Sequence, residues 1–493
     1  MVFSSLIFLC VFLPLAAVLY FLVPPGRRFS MPLKNALLIV LSLLFYAYGE
    51  PVYIILMLLS SVANWLLALW IGAPAVQSPR PLKQTGRRLP LVLCVVFNLG
   101  MLAVFKYADM FVPALAISLP IGISFYTFQA MSYVIDVYRG EVEAARNYFN
   151  VLLYITFFPQ LIAGPIIKYH DVESELGERR QSLREVVLGC RRFICGLGKK
   201  VLLANTLGAV ADSMYGAPFA QINVACAWLG AICYLAQIYF DFSGYSDMAI
   251  GMARIFGFHY PENFDYPYAS ASIREFWRRW HISLSTWFKQ YLYFPLGGNR
   301  KGRPRAVANK VIVFAVCGLW HGAAWTFLVW GLVHGFFLLL EEYLPIRKLP
   351  RPLGVIYTLL VVCLAFVLFR SSSFAQAAFM LGQMFSGFHF ETVCTARLLW
   401  NLNPPVVLAL IAAAVAATPV LPALRHRLSG LGGSASTSLD RRASGATLLS
   451  PAGAASLKSA LHVASYVLSV ALLVFCLLQL APGGYNPFIY YRF

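Results

Sequence analysis

The residues best suited to chemistry in this chain fall between Tyr239 and Gly335. His321 sits in Gly318-Leu319-Trp320-His321-Gly322, within a run from Val311 to Leu340 that carries no Asp, Glu, Lys or Arg. An ionisable side chain in so apolar a run is costly, and by default it marks a functional site. An imidazole with an ordinary pKa near ~6.5 takes a proton from a hydroxyl or thiol and returns it, which is what acyl transfer requires. The competing reading is a histidine satisfied by hydrogen bonds between helices. His281 ends Glu275-Phe276-Trp277-Arg278-Arg279-Trp280-His281, and there the alternative is a Trp- and Arg-rich anchor at the lipid interface.

Around these histidines stand residues that could bind or position. Arg278, Arg279, Trp280, Lys289 and Arg300 belong to a basic surface that would either dock the phosphates of a nucleotide-bearing donor or serve only as positive-inside charge. Asp241, Ser243 and Asp247, with Asn263 and Trp320, are candidates to orient neighbouring helices or line a tunnel. No metal-ligand spacing, phosphate-binding glycine loop or GxSxG elbow occurs, so no metal site and no bound cofactor are expected. The ten cysteines are scattered without a CxxC pair and read as buried thiols.

Composition fixes the solvent in which these residues are held. With 493 residues, 60% of them hydrophobic and 12% charged, and a mean hydropathy of +0.70, the chain has too little polar surface to cover a soluble globule. It is predicted to be an all-α polytopic membrane protein. The net charge of +19 is dispersed through short loops, which suits a membrane topology and excludes a nucleic-acid face. Apolar stretches near the ~20 residues needed to cross ~30 Å of hydrocarbon lie at 2–23, 34–49, 52–71, 89–106, 119–138, 187–210, 224–242, 306–321, 323–341, 353–370, 404–422 and 461–481. Lys and Arg crowd the connections 24–34, 72–88 and 342–352 and are absent from 49–52, 107–118 and 211–223, which predicts twelve crossings with both termini outside.

Three portions do not read as simple spans. Residues 148–168 carry Phe158-Pro159-Gln160-Leu161-Ile162-Ala163-Gly164-Pro165, which breaks a helix in its interior and, with basic flanks on both sides, predicts a re-entrant or in-plane element. Residues 243–299 place aromatic and cationic side chains at helical spacing without a spanning run, as an interfacial segment would. Residues 428–458 are rich in Ser, Ala and Gly and read as a flexible loop. The chain divides accordingly into N-terminal helices 1–138, a catalytic core 139–341, C-terminal helices 342–481 and an aromatic tail 482–493, all in a single membrane-embedded domain.

At these residues the chain resembles the membrane-bound O-acyltransferases, and within them the bacterial branch that O-acetylates alginate. The resemblance rests on Ser124 to Gln129, Ile135 to Gly140, Leu161 to Pro165, Asp241 to Asp247, Glu275 to Trp287, Leu296 to Gly302 and Gly318 to Gly322, in that order. It implies a ring of about 10–12 transmembrane helices, with re-entrant and interfacial helices, around a thin catalytic centre. His321 would be the principal catalytic residue and His281 its partner. Acetyl would come from cytoplasmic acetyl-CoA and cross the inner membrane to periplasmic acetyltransferase proteins that modify an exopolysaccharide. The terminal Phe488-Ile489-Tyr490-Tyr491-Arg492-Phe493 is similar to a motif of related acyl-export systems, which makes Tyr490 an acyl-carrier candidate; the plainer alternative is an interfacial aromatic. The competing functions are a transporter, with the histidines in a proton relay, and a noncatalytic scaffold of a polysaccharide-export complex.

Overall fold

The computed structural model describes residues 2–489 apart from 25, 27–28, 78–84, 113–117, 180, 421 and 424–450. Among the described residues the secondary structure is helical throughout, without a strand. Eight helices are long and apolar enough to cross a membrane, Ser30–Gly49, Tyr53–Gly72, Gly86–Phe111, Leu183–Tyr215, Val224–Ile255, Trp325–Tyr343, Arg351–Arg370 and Val463–Leu480, and each coincides with a predicted span. A ninth candidate is the pair Thr392–Asn401 and Pro404–Ala416, bent by 65° where Asn403-Pro404 interrupts it. The other three predicted spans fall short of that standard. Phe8–Leu22 is too short. Ile123–Arg139 has 17 residues and is buried on nearly every side, so it lines the interior and does not face lipid. Arg303–His321 opens on Arg303-Pro304-Arg305 and ends at His321.

One boundary moves because of tertiary pairing. Val224–Ile255 continues 13 residues beyond the predicted end at 242, so Asp241 and Asp247 lie inside a helix and not at its terminus. Both carboxylates are neutralised there. Asp241 Oδ1 is 2.7 Å from Lys200 Nζ, and Asp247 lies 2.6 Å from Lys199 Nζ and 2.9 Å from Arg192. The two lysines sit on a π-helical turn, Lys199–Ala204, of the neighbouring helix. That neighbour can approach because glycines face glycines. A Cβ on Gly196 would lie 2.5 Å from the Gly244 carbonyl oxygen, and one on Gly189 would lie 2.6 Å from that of Gly251. Small residues at a helix contact let two backbones pack closely in a membrane.

The segment 148–168 is interrupted where the Pro and Gly signals predict. Tyr148–Thr156 is followed by the one-turn helix Phe158–Leu161, and residues 151–169 are all buried. Irregular backbone at membrane depth survives only when protein shields it. Here Gly122, at φ +79, allows the chain to meet the Leu161 carbonyl, where a Cβ would stand 2.5 Å away. The predicted flexible loop at 428–458 lies outside the described residues as far as 450. From Pro451 the chain is already helical, so the loop's last part belongs to the helix Pro451–Leu480.

Candidate active site

Two short helices build the first half of the site. Ser272 caps Ile273–Arg279 by accepting from the Glu275 amide at 3.1 Å, and the buried Glu341 carboxylate accepts from the amides of Ile273 and Arg274. The next helix, Ile282–Phe288, starts from His281, whose φ of 42° puts a non-glycine residue in the left-handed region. Such a conformation persists only where its surroundings impose it, and it concentrates at functional sites. Asn263 imposes it. The Asn263 carbonyl accepts from Ile282 N at 2.9 Å, and its side-chain oxygen accepts from Ser283 N at 3.3 Å and from the Ser283 hydroxyl at 2.9 Å. The amide is thereby oriented with its oxygen toward His281, whose Nδ1 is 3.2 Å away and must carry the proton. Nε2 is left as an acceptor, buried and without a protein partner among the described residues.

The second half is the end of Arg303–His321. His321 is 4% exposed, with its ring edge-on to Trp320 at 4.9 Å, Trp330 at 5.1 Å and Phe369 at 5.5 Å between centroids. Trp320 bridges the two histidines, since its ring is also 6.2 Å from that of His281. The glycines flanking His321 admit protein and not ligand. A Cβ on Gly318 would meet the Phe327 carbonyl, and one on Gly322 the Phe327 ring, each at 2.3 Å. A third histidine extends the row. His334 is fully buried against Trp330 at 5.0 Å and Trp277 at 5.2 Å, with neither ring nitrogen partnered among the described residues. It lies in the same uncharged run as His321, and that placement was the available signal for it.

Four cavities lie around this row, one of them small. One, of about 310 Å³, has Arg274, Lys289 and Lys310 on its polar side and Trp277, Phe314 and Cys317 deeper in. Cys317 precedes His321 by about one turn of the same helix. The Glu342 carboxylate ties down Arg274 and, at 2.6 Å, Lys310. Of the five predicted donor-site residues only Lys289 lines this cavity. Arg278 and Arg300 are exposed outside it, Arg279 pairs with Glu275 at 2.9 Å and Asp265 at 3.3 Å, and Trp280 is buried among Phe276, Phe264 and Phe366. A second cavity, of about 530 Å³, is walled by Ser243, Asp247 and Asn263. Trp320 lines the small cavity beside His321, whereas Asp241 serves the ion pair with Lys200.

The third, of about 280 Å³, lies between Gln237, Phe327, Phe369 and Arg370, and its remaining wall is the C-terminal tail at Pro487 and Ile489. That tail is threaded into the protein. Lys200 donates to the Pro487 carbonyl, Ile489 N donates to Asp241 Oδ2 at 2.8 Å, and the Asn486 side chain bonds Ser4 and Asn205 at 3.0 and 3.1 Å. Tyr490 follows directly and lies outside the described residues. No group of three or more His, Cys, Asp or Glu among the described residues could hold a metal ion.

A multi-pass helical bundle with two buried histidines facing one tryptophan, a small cavity lined by His321 and larger ones close by, is a membrane enzyme architecture suited to group transfer. The pattern of the membrane-bound O-acyltransferase family matches residues 142–345. The chain is 43% identical over 404 residues to a probable alginate O-acetylase, AlgI, of Azotobacter vinelandii, covering 78% of each chain. It is 33% identical to a peptidoglycan O-acetyltransferase of Helicobacter pylori, over 78% of this chain and 80% of that one. A teichoic acid D-alanyltransferase of Bacillus subtilis is 26% identical over 52% of this chain and 69% of its own. The chain belongs to the membrane-bound O-acyltransferase family and is an O-acyltransferase.

Proposed function

We propose that this enzyme takes acetyl from cytoplasmic acetyl-CoA and passes it across the bacterial inner membrane for O-acetylation of an exopolysaccharide, alginate or a similar glycan. The observation that carries the reading is the pair of cavities that approach His321 from different elements. The Arg274–Lys289–Lys310 cavity extends to Cys317, about one turn before His321 on the same helix, and suits the phosphates and pantetheine arm of the donor. The cavity against the C-terminal tail is walled by Phe369, whose ring packs on His321, and suits an acceptor hydroxyl. The relatives named for O-acetylation of alginate and peptidoglycan support acetyl as the group moved.

In this reading His321 takes the proton of the acceptor hydroxyl as its oxygen attacks the thioester carbon. The new C–O bond forms, the C–S bond breaks, and the proton passes to the leaving thiolate. His281, held as its Nδ1–H tautomer by Asn263, keeps Nε2 available as an acceptor on the other side of Trp320. The acceptor is a hydroxyl presented from the far side, that of Tyr490 or of a periplasmic acetyltransferase partner, with both termini on that side. A positioned general base typically contributes ~10²–10⁴-fold. Acetyl ester in the exported polysaccharide of a deletion strain, complemented with wild type, His321→Ala or His281→Ala, tests the proposal. Wild type should restore the ester and His321→Ala should not, at equal protein in the membrane by blot. Full restoration by His321→Ala would make His321 structural and bring a scaffold or transporter forward.

A further inference from the structure

A lysine shares the small cavity beside His321. Lys106 lies in a π-helical turn, Ala103–Tyr107, within the Gly86–Phe111 span, and is 9% exposed. π-turns inside α-helices are frequent at functional sites. Its Nζ donates to the carbonyl of Trp320, the residue before His321, and approaches the Ser124 hydroxyl at 3.4 Å. No carboxylate stands within ion-pair distance of it among the described residues. A buried ammonium without a counter-ion is expensive at membrane depth. Lys106, Ser124, Trp320 and His321 line one cavity of about 40 Å³, space for on the order of three waters or one small group.

We propose that Lys106 is a catalytic residue of this enzyme, its ammonium stabilising the oxyanion that forms on the thioester carbonyl during transfer. The proposal rests on the acyl-transfer reading above. An ammonium has three N–H donors. One is spent on the Trp320 carbonyl and one points at Ser124, which leaves the third for the cavity shared with His321. When the acceptor oxygen attacks, the carbonyl π pair moves to oxygen and creates a negative charge. On collapse that pair re-forms the carbonyl and expels the thiolate, which receives the proton His321 removed. A fixed cation there favours the charged intermediate over the neutral thioester, and so acts on the chemical step and not on donor binding. The neighbouring Tyr107 hydroxyl donates to the Leu319 carbonyl and brings no charge, so it provides an internal control for mere clamping of the helix end.

The test is coenzyme A release from acetyl-CoA by the purified full-length chain in nanodiscs, alongside equilibrium binding of S-ethyl-coenzyme A, a thioether without the carbonyl. Losing one oxyanion donor typically costs ~10²–10³ in kcat. Lys106→Met and Lys106→Gln should lose that much with KM and thioether binding unchanged, Lys106→Arg should recover a large part, and Tyr107→Phe should stay within about threefold. Lys106→Gln keeps an N–H for the Trp320 carbonyl and serves if Lys106→Met does not fold. Either neutral variant retaining kcat within about threefold, or Tyr107→Phe falling as far as Lys106→Gln, overturns the proposal. If His321→Ala abolishes release while Lys106→Gln does not, this inference alone fails. If the wild type releases no coenzyme A even with a periplasmic acetyltransferase partner added as acceptor, the acyl-transfer reading fails and takes this inference with it.

Discussion

The ion pair of Lys200 with Asp241 gives a quantitative prediction, because its side chains are only 3% and 2% exposed and it holds the C-terminal tail. Lys200→Met leaves the carboxylate buried with the Ile489 amide as its remaining hydrogen bond at 2.8 Å, and removes the donor to the Pro487 carbonyl. Breaking a buried pair by deleting one partner costs about 3–5 kcal/mol, whereas replacing both by apolar residues of similar volume is often neutral or stabilising. In the double variant Lys200→Met with Asp241→Leu, the unpaired charge is gone. What remains is the unsatisfied Ile489 N–H and Pro487 carbonyl, each about 1–3 kcal/mol if they stay dry and less if the tail lets water in. The double variant should therefore be no less stable than Lys200→Met and is expected to recover part of its loss. The assay is a double-mutant cycle on the melting of detergent-purified protein, with proteolysis of a C-terminal tag reporting tail release. Both Lys200→Met and the double variant should expose the tag. The reasoning is refuted if Lys200→Met melts with wild type and its tag stays protected, or if the double variant melts below Lys200→Met.

Three further outcomes follow from the geometry. Asn263→Ala removes the acceptor for His281 Nδ1 and for both Ser283 donors, and acetyl transfer should fall ~10–100-fold, as for residues that orient a working histidine, with membrane levels by blot near wild type. Glu342→Gln releases Arg274 and Lys310 from their shared carboxylate, and should lower KM for acetyl-CoA while Lys289→Met raises it, both effects shrinking as salt is added. Gly196→Val would drive a branched side chain into the Gly244 backbone, where even a Cβ meets the carbonyl oxygen at 2.5 Å, and should leave no folded protein in the membrane fraction.

Much of the architecture was legible because lipid imposes simple rules. All eight strong spans follow from apolar runs and basic loops, and Pro159, Gly164 and Pro165 foretell the interrupted segment at 148–168. His321 stood out because a titratable group in an uncharged run is conspicuous. Placement of the charges was not legible. Asp241 and Asp247 look like the end of a span until Lys200, Lys199 and Arg192 are found across a glycine contact about 40 to 55 residues away in sequence. The arginines beside His281 look like one donor surface, yet Arg279 is turned to acids and Trp280 is buried, while Lys310 enters the cavity from another helix.

Sequence by itself determined the solvent, the helical class and the two histidines worth testing, since composition and local periodicity suffice for these. Only the tertiary structure decided which groups share a cavity. It placed Lys106 against Trp320, 214 residues away, set His334 beside Trp330, and seated the C-terminal tail on Asp241. Those pairings depend on how helices pack in three dimensions, where glycine contacts and buried ion pairs fix neighbours that no spacing along the chain encodes.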